Sequence, residues 1–371
     1  MRATAPQPEL AAALKGVARQ IPAKPLQPAL LGVRLEATDG QIRVSAWDGA
    51  TAAHAHVDAD VDEPGVIIAP GQMLADVIDS LAKADVALEA REELHVHTDR
   101  AEFFLPTSSA HDYPTLPALP DTQGTVDGAD FGAAYKRIKA AISRDAQGPT
   151  VGMRGVRIVV DDGEMQLAAT DRYRIAIAYL PWQGDTTSPA MGVIPGKVLA
   201  DNAAAFTGKL RVGLPANGSG VAALIGDRQF VSTTLMDWGT FPPALDSVIP
   251  NGDAITGTLI VAAEDLKAAV ESATAVGVPR HIFLTITGDR IAVRGEGEGR
   301  SRLQVDASYD GDLDSVELKV NPQYLLDAIT QFTGPIHFEL TTPTRPFLLH
   351  QPDDTTYRHV VMPLHPLGPL G

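Results

Sequence analysis

Apolar and polar positions along this chain follow one pattern written three times. Each copy opens with a stretch of helical periodicity, at residues 8–20, 130–144 and 263–274. A pair of alternating, strand-like runs follows: 32–36 with 41–46, 155–159 with 165–169, and 282–287 with 290–294. Turn residues separate the runs, at Asp39-Gly40, Asp162-Gly163 and Thr287-Gly288. A second helix-opening phrase then appears as Pro70-Gly71-Gln72-Met73-Leu74, as Pro195-Gly196-Lys197-Val198-Leu199, and more loosely as Asn321-Pro322-Gln323-Tyr324-Leu325. Proline suits a first helical turn because its missing N–H would be unpaired there anyway. Two or three more strands close each copy. Pro70 and Pro195 lie 125 residues apart, and Pro195 and Pro322 lie 127 apart. That period is the size of a domain rather than of a solenoid unit. The expected fold is α+β, with three tandem similar domains, each of two helices on an antiparallel sheet. Polar, Gly- and Pro-rich linkers at 119–124 and 249–253 put the domains at 1–122, 123–252 and 253–371.

Composition narrows the chemistry. An apolar content of 44% suffices for real cores, and the absence of cysteine excludes disulfides, thiolate metal sites and Cys nucleophiles. No apolar run is long enough to span a membrane, and no signal-peptide pattern opens the chain, so a cytoplasmic protein without membrane partners is expected. The net charge of −16 argues against nucleic acid only if the charge is evenly spread. It is not. In residues 130–144 the apolar set Phe131, Ala134, Tyr135, Ile138, Ala141 and Ile142 forms one stripe, and Lys136, Arg137, Lys139 and Arg144 lie off it. The first helix repeats the arrangement more mildly with Lys15 and Arg19, and Lys24 follows just beyond. A solvated helix face explains any one of these clusters alone. In the third copy, Glu264, Asp265 and Glu271 outnumber Lys267.

Three short motifs, in order, carry a resemblance. Ala169-Thr170-Asp171-Arg172-Tyr173-Arg174-Ile175-Ala176 resembles the ATDxxRLA motif of the bacterial DNA polymerase III beta subunit, the sliding clamp, in its actinobacterial form. Phe241-Pro242, followed by Val248-Ile249-Pro250, is similar to that family's FPDYxxVLP segment, and Val360-Val361-Met362-Pro363-Leu364 to its VVMPM ending. The resemblance covers essentially the whole chain. It implies the DNA-clamp fold and a homodimer that closes head to tail into a six-domain ring around duplex DNA. The ring would act as a processivity factor in DNA replication, tethering the polymerase without catalysis or cofactor. The lumen candidates are then Lys15, Arg19, Lys24, Lys136, Arg137, Lys139, Arg144 and Lys197, meeting phosphates without reading bases.

The resemblance also implies a pocket for short linear motifs of the polymerase III alpha subunit, the clamp loader and repair proteins. Its candidates are Met153, Thr170, Arg172, Tyr173, Arg174, Ile175, Pro242, Val248, Pro346, Val360, Val361, Met362, Pro363 and Leu364, with Arg174 offering a hydrogen bond to the peptide. Read without the resemblance, Thr170-Asp171 is a hairpin turn, and Ile175 and Val361 are core. A dimer interface would join strand edges at 102–105, with Phe103, Phe104 and Leu105, and at 300–305, with Arg302 and Leu303, and would draw in Ala273 and Val276.

Two departures stand out. Residues 243–247 contain no base where many clamps have one, and the chain continues past Leu364 with His365 in place of an expected Arg. They raise the alternative of a divergent second clamp whose remodelled pocket tolerates a clamp-directed inhibitor. A metal-dependent hydrolase is the competing class. Its bait is the pairs His54/His56 and His95/His97, which read as solvent-facing strand residues; no HExxH, GxSxG or P-loop motif occurs. No catalytic residue and no metal ligand set are expected.

Overall fold

The computed structural model describes residues 1–25, 27–184, 190–243, 245–277 and 280–364. Ala244 and the segment 365–371 with His365, both singled out in the sequence, lie outside the described residues. Among the described residues, six α-helices appear at the expected places: α1 (Gln7–Ala18), α2 (Gly71–Ser80), α3 (Gly128–Ile138), α4 (Gly196–Asn202), α5 (Ala263–Thr274) and α6 (Pro322–Ile329). The second-helix prolines differ in position. Pro70 and Pro195 are the last residues of strands and stand at the N-cap, so Gly71 and Gly196 open α2 and α4. Only Pro322 lies inside the first turn, where the Asn321 side chain accepts hydrogen bonds from Gln323 N at 2.9 Å and Tyr324 N at 3.4 Å. Helix α3 is shorter than its periodicity suggests. It stops at Ile138, and Lys139–Ala141 tightens into a 3₁₀ turn, which leaves Arg144 beyond the helix.

The expected hairpins form. Asp39-Gly40 and Asp162-Gly163 all take positive φ, at 49°, 76°, 43° and 77°, as two-residue turns between right-twisted strands require. In the third copy Thr287 pairs with Arg290, so the turn is Gly288-Asp289, one residue later than the sequence suggests.

By density of contacts the chain forms two compact units. The first comprises 1–133, 160–163 and 181–236; the second comprises 134–159, 164–180 and 237–371. Among the described residues the first unit holds two sheets. Five strands run in the order Asp60–Glu63, Arg2–Pro6, Asp85–Ala90, Glu93–Thr98, Ala101–Pro106. Nine strands form the other, in which Gln229–Thr234 pairs with Thr51–Asp58, so one ladder crosses from the first sequence copy into the second. Leu10, Leu14 and Val17 of α1 and Leu74 and Ile78 of α2 pack into the core above these strands. In the second unit the ladder Arg174–Pro181 with Asp354–Val361 likewise joins the second copy to the third. From Asp354–Val361 the strands continue through Phe347–Gln351, Pro335–Leu340, Gly257–Ala262, Arg300–Gly311, Arg290–Glu296 and Ile282–Thr287 to Ser315–Val320.

Candidate partner groove, strand edges and basic helix faces

The motif 170–175 is a tight hairpin turn held by its own side chains. Thr170 Oγ1 donates to the Arg174 carbonyl at 2.7 Å, and Asp171 Oδ1 accepts from the N–H groups of Tyr173 and Arg174, both at 3.1 Å. Arg172 sits at φ 79°, a left-handed conformation costly for a side chain with a Cβ. The turn leaves Tyr173 exposed, stacked on Tyr324 at 5.9 Å, while Thr170, Arg174 and Ile175 are buried. The Arg174 guanidinium is fully committed. It pairs with Asp171 at 3.0 Å and Asp327 at 2.5 Å, donates to the Ala140 carbonyl, and covers the Tyr324 ring at 4.5 Å. These contacts bind the turn to α6 and to the 3₁₀ turn that follows α3.

Beside the turn, the second unit has an open concavity of about 640 Å³. Of the fourteen pocket candidates, Val248, Pro346 and Met362 line it, joined by Pro250 of the same motif segment and by Thr342 and Arg345, which the sequence did not single out. Val248 and Met362 are among the most exposed large apolar side chains. The Met362 N–H donates to the Tyr173 carbonyl at 2.8 Å, and this backbone bond ties the groove wall to the turn. Met153, Val360, Val361 and Pro363 are buried, and Val361 faces the core opposite both Arg174 and Phe347 in register. Pro242 and Leu364 are half-buried. Arg345 supplies a base on the groove side, although 243–247 has none.

Among the described residues, strand Ala101–Pro106 pairs only with Glu93–Thr98 and stands last in its sheet. Its side chains alternate: Leu105 is buried in the core, Phe103 is half-buried, and Phe104 is 59% exposed and stacked on His95 at 4.5 Å. Strand Arg300–Gly311 is divided. Residues 300–306 pair on one side with Arg290–Glu296, and 307–311 pair with Gly257–Ala262. Arg302 is exposed and Leu303 half-buried along the singly paired part. Ala273 departs from the expectation. It is fully buried, and its carbonyl accepts from Ser301 Oγ at 3.1 Å, so its side chain presents nothing to a partner; Val276 is half-buried.

The basic candidates divide in the same way. Lys15, Arg19, Lys24, Lys136, Lys139, Arg144 and Lys197 are exposed. Lys15 and Arg19 border a shallow concavity of about 340 Å³ shared with Asp76 and Asp79 of α2. Arg19 donates to the Asp201 carbonyl, and Lys197 pairs with the Asp201 carboxylate at 2.5 Å. Arg137 is drawn inward. It pairs with Asp354 at 2.9 Å and lies over the Tyr357 ring at 4.0 Å. Burial alone would raise the Asp354 carboxyl pKa, but hydrogen bonds from Thr356 and Arg137 outweigh it and hold the group below its ordinary value. A guanidinium so placed ties α3 to strand Asp354–Val361.

The histidine pairs also separate. His54 is buried, stacked on Phe230 at 4.1 Å and bonded to Ser45 at 2.9 Å, against the expectation of solvent-facing alternation. His95 and His97 remain half-exposed and stack on each other at 4.5 Å.

Comparison with known proteins gives a consistent result along the chain. Residues 1–117 match the N-terminal domain of the DNA polymerase III beta subunit, 125–243 its central domain, and 246–365 its C-terminal domain. A beta sliding clamp from Streptomyces coelicolor is 29% identical over 97% of this chain and 98% of its own length. The beta sliding clamp homolog GriR from Streptomyces muensis is 28% identical over 96% of each chain. Among solved structures, a Bacillus subtilis sliding clamp superposes with a TM-score of 0.89 at 20% identity, covering 99% of this chain and 100% of that one. A Pseudomonas aeruginosa clamp bound to griselimycin gives 0.88 at 22%, covering 98% and 99%.

Proposed function

Since the chain belongs to the family of the DNA polymerase III beta subunit, the sliding clamps, we propose that it works as a homodimeric ring that encircles duplex DNA and holds the replicative polymerase there. The observation that carries this is the ordered match of all three family domains across nearly the whole chain. The protein is a non-catalytic processivity subunit. Other partners, among them the clamp loader and repair proteins, reach it through short peptide motifs.

The three repeats, taken as 1–122, 123–252 and 253–371, would give six domains per ring. Lys15, Lys24, Lys136, Lys139 and Arg144, exposed in an otherwise acidic chain, would face the phosphates without reading sequence. Arg19 and Lys197 share Asp201, and Arg137 is held by Asp354, so these three contribute less. Motif peptides would enter the groove bordered by Val248, Pro346 and Met362, with apolar anchors supplying most of the affinity. The cytoplasm, where bacterial DNA is copied, is the corresponding location; among the described residues no helix is long and apolar enough to cross a membrane.

The decisive experiment is topological. Loaded onto nicked circular DNA by a bacterial clamp loader and ATP, the protein should stay bound to circles and be lost when they are linearised. Persistence after cutting would mean ordinary DNA binding and would defeat the ring.

The dimer contact has its own test. Phe104 offers the largest exposed aromatic surface on the free edge, so Phe104→Arg should raise the dimer dissociation constant at least about 30-fold, a loss of about 2 kcal/mol or more. Light scattering coupled to size exclusion should then find monomers at micromolar concentration. An unchanged dimer would remove strand Ala101–Pro106 from the interface.

A further inference from the structure

One side-chain cluster in the second unit has no part in encircling DNA or in the groove. His337 and Glu339 are two residues apart on strand Pro335–Leu340, so both project from one face, while Ile336, Phe338 and Leu340 are buried on the other. His350, on strand Phe347–Gln351, is the direct cross-strand partner of His337, which puts all three on the same face. The two imidazole rings are 5.6 Å apart, and His350 Nε2 is 3.2 Å from Glu339 Oε1. One ligand atom from each of the three residues lies within 4.8 Å of the others. All three side chains are half-buried, open to solvent yet fixed at their Cα atoms by the ladder.

Glu339 is also held from behind. Its second oxygen accepts a 2.7 Å hydrogen bond from Thr258 Oγ1, and Thr258 is the Cα partner of Glu339 on strand Gly257–Ala262. An oriented carboxylate with one oxygen left toward two imidazoles is the supporting arrangement that metal sites use.

The geometry points to a divalent transition-metal site in which His337, His350 and Glu339 bind one Zn²⁺, Thr258 positions the carboxylate, and water completes the coordination. Bonds of about 2.0–2.1 Å in a tetrahedral shell set neighbouring ligand atoms about 3.3 Å apart. The His350–Glu339 separation already matches this, and a His337 ring nitrogen lies within 4.8 Å of both. Two imidazoles with one carboxylate suit zinc and its neighbours; magnesium and calcium favour all-oxygen shells. Bound metal would clip two adjacent strands. The sequence gives no sign of the set, because His337 and His350 meet only through strand register. The His95/His97 pair, conspicuous in the sequence, belongs to no such group of three among the described residues.

The test uses the full chain stripped with a chelator, then titrated with Zn²⁺ by calorimetry and with Co²⁺ by visible absorption. One equivalent per chain is expected, with intense cobalt bands of a four-coordinate site. His337→Ala, His350→Ala and Glu339→Gln should each weaken binding at least tenfold, and Thr258→Val about tenfold with the stoichiometry kept. His95→Ala/His97→Ala should leave binding unchanged. Zn²⁺ should also raise the melting temperature of the parent but not of Glu339→Gln. Glu339→Gln keeps the side-chain shape, so it decides the matter should a histidine variant fold poorly. Absence of saturable binding, or binding that survives both Glu339→Gln and His350→Ala, would overturn the site.

Discussion

Replacing Arg174 with alanine is expected to destabilise the second unit by about 3–5 kcal/mol, the cost of removing one partner from a buried ionic network. Arg174 is 8% exposed, and its guanidinium serves four groups from three parts of the chain: Asp171 in its own turn, Asp327 on α6, the Ala140 carbonyl after α3, and the Tyr324 ring. Alanine would leave two carboxylates facing each other in a poorly solvated space and would strip a carbonyl of its donor. Lysine keeps the charge but cannot fork toward both carboxylates, so Arg174→Lys should recover only part of the loss. Urea unfolding followed by tryptophan fluorescence measures both variants. An Arg174→Ala midpoint within experimental error of the parent would show that the network contributes nothing net. The same experiment bears on the groove, whose wall is bonded to this turn through Met362 and Tyr173.

The second large effect is expected on acidification. His359 is wholly buried, and burial, reinforced by Arg174, lowers its pKa to about 3. The single proton of the Tyr357 hydroxyl goes to the Arg137 carbonyl at 3.1 Å. His359 Nδ1, 2.8 Å from the same oxygen, is therefore the donor in that pair. The next proton must enter at Nε2, which has no partner in the structure. His54 in the first unit is likewise lowered to about 3 by burial, with Arg43 adding to the shift. The folded pKa lies below the unfolded value near 6.5, so the native state binds fewer protons than the unfolded chain. Stability from each histidine is fully present above pH 6.5 and is lost as pH falls toward 3. At pH 4 the loss is about 3 kcal/mol per histidine, from about 1.4 kcal/mol per pH unit. Urea midpoints at pH 7, 5.5 and 4 read the slope. His359→Phe, which leaves Tyr357 its carbonyl partner, should flatten it for the second unit, and an equally steep slope in that variant would acquit His359.

Local features were legible in the sequence because they are set by neighbours in the chain. Helix periodicity located α1, α3 and α5, Asp-Gly pairs located two turns, and strand alternation located the hairpins. The errors of detail have local causes too: proline completing a strand before Gly71 and Gly196, and the chain tightening after Ile138. The rest depends on register between distant segments, which no local pattern encodes. Gln229–Thr234 lies against Thr51–Asp58, and Arg174–Pro181 against Asp354–Val361, so the two compact units do not follow the three sequence copies. The same applies to the site. The motifs drew attention to the turn at 170–175 and to the last strand, but no local pattern shows that Arg174 and Arg137, read as contacts for peptide and DNA, pair with Asp327 and Asp354, more than 150 residues further along the chain. Thr342 and Arg345 border the groove with nothing in their spacing to say so.

The strand edges described above are of two different kinds, one at Ala101–Pro106 and one along residues 300–306. A contact that joins unlike surfaces has no built-in stop: it closes only if the rotation from one copy to the next divides a full circle. For a two-chain ring that rotation is a half-turn. Substitutions that bend the chain without touching either edge would therefore leave adhesion intact and spoil closure. Their product would be neither monomer nor dimer but an open helical polymer, growing with concentration and unable to thread DNA.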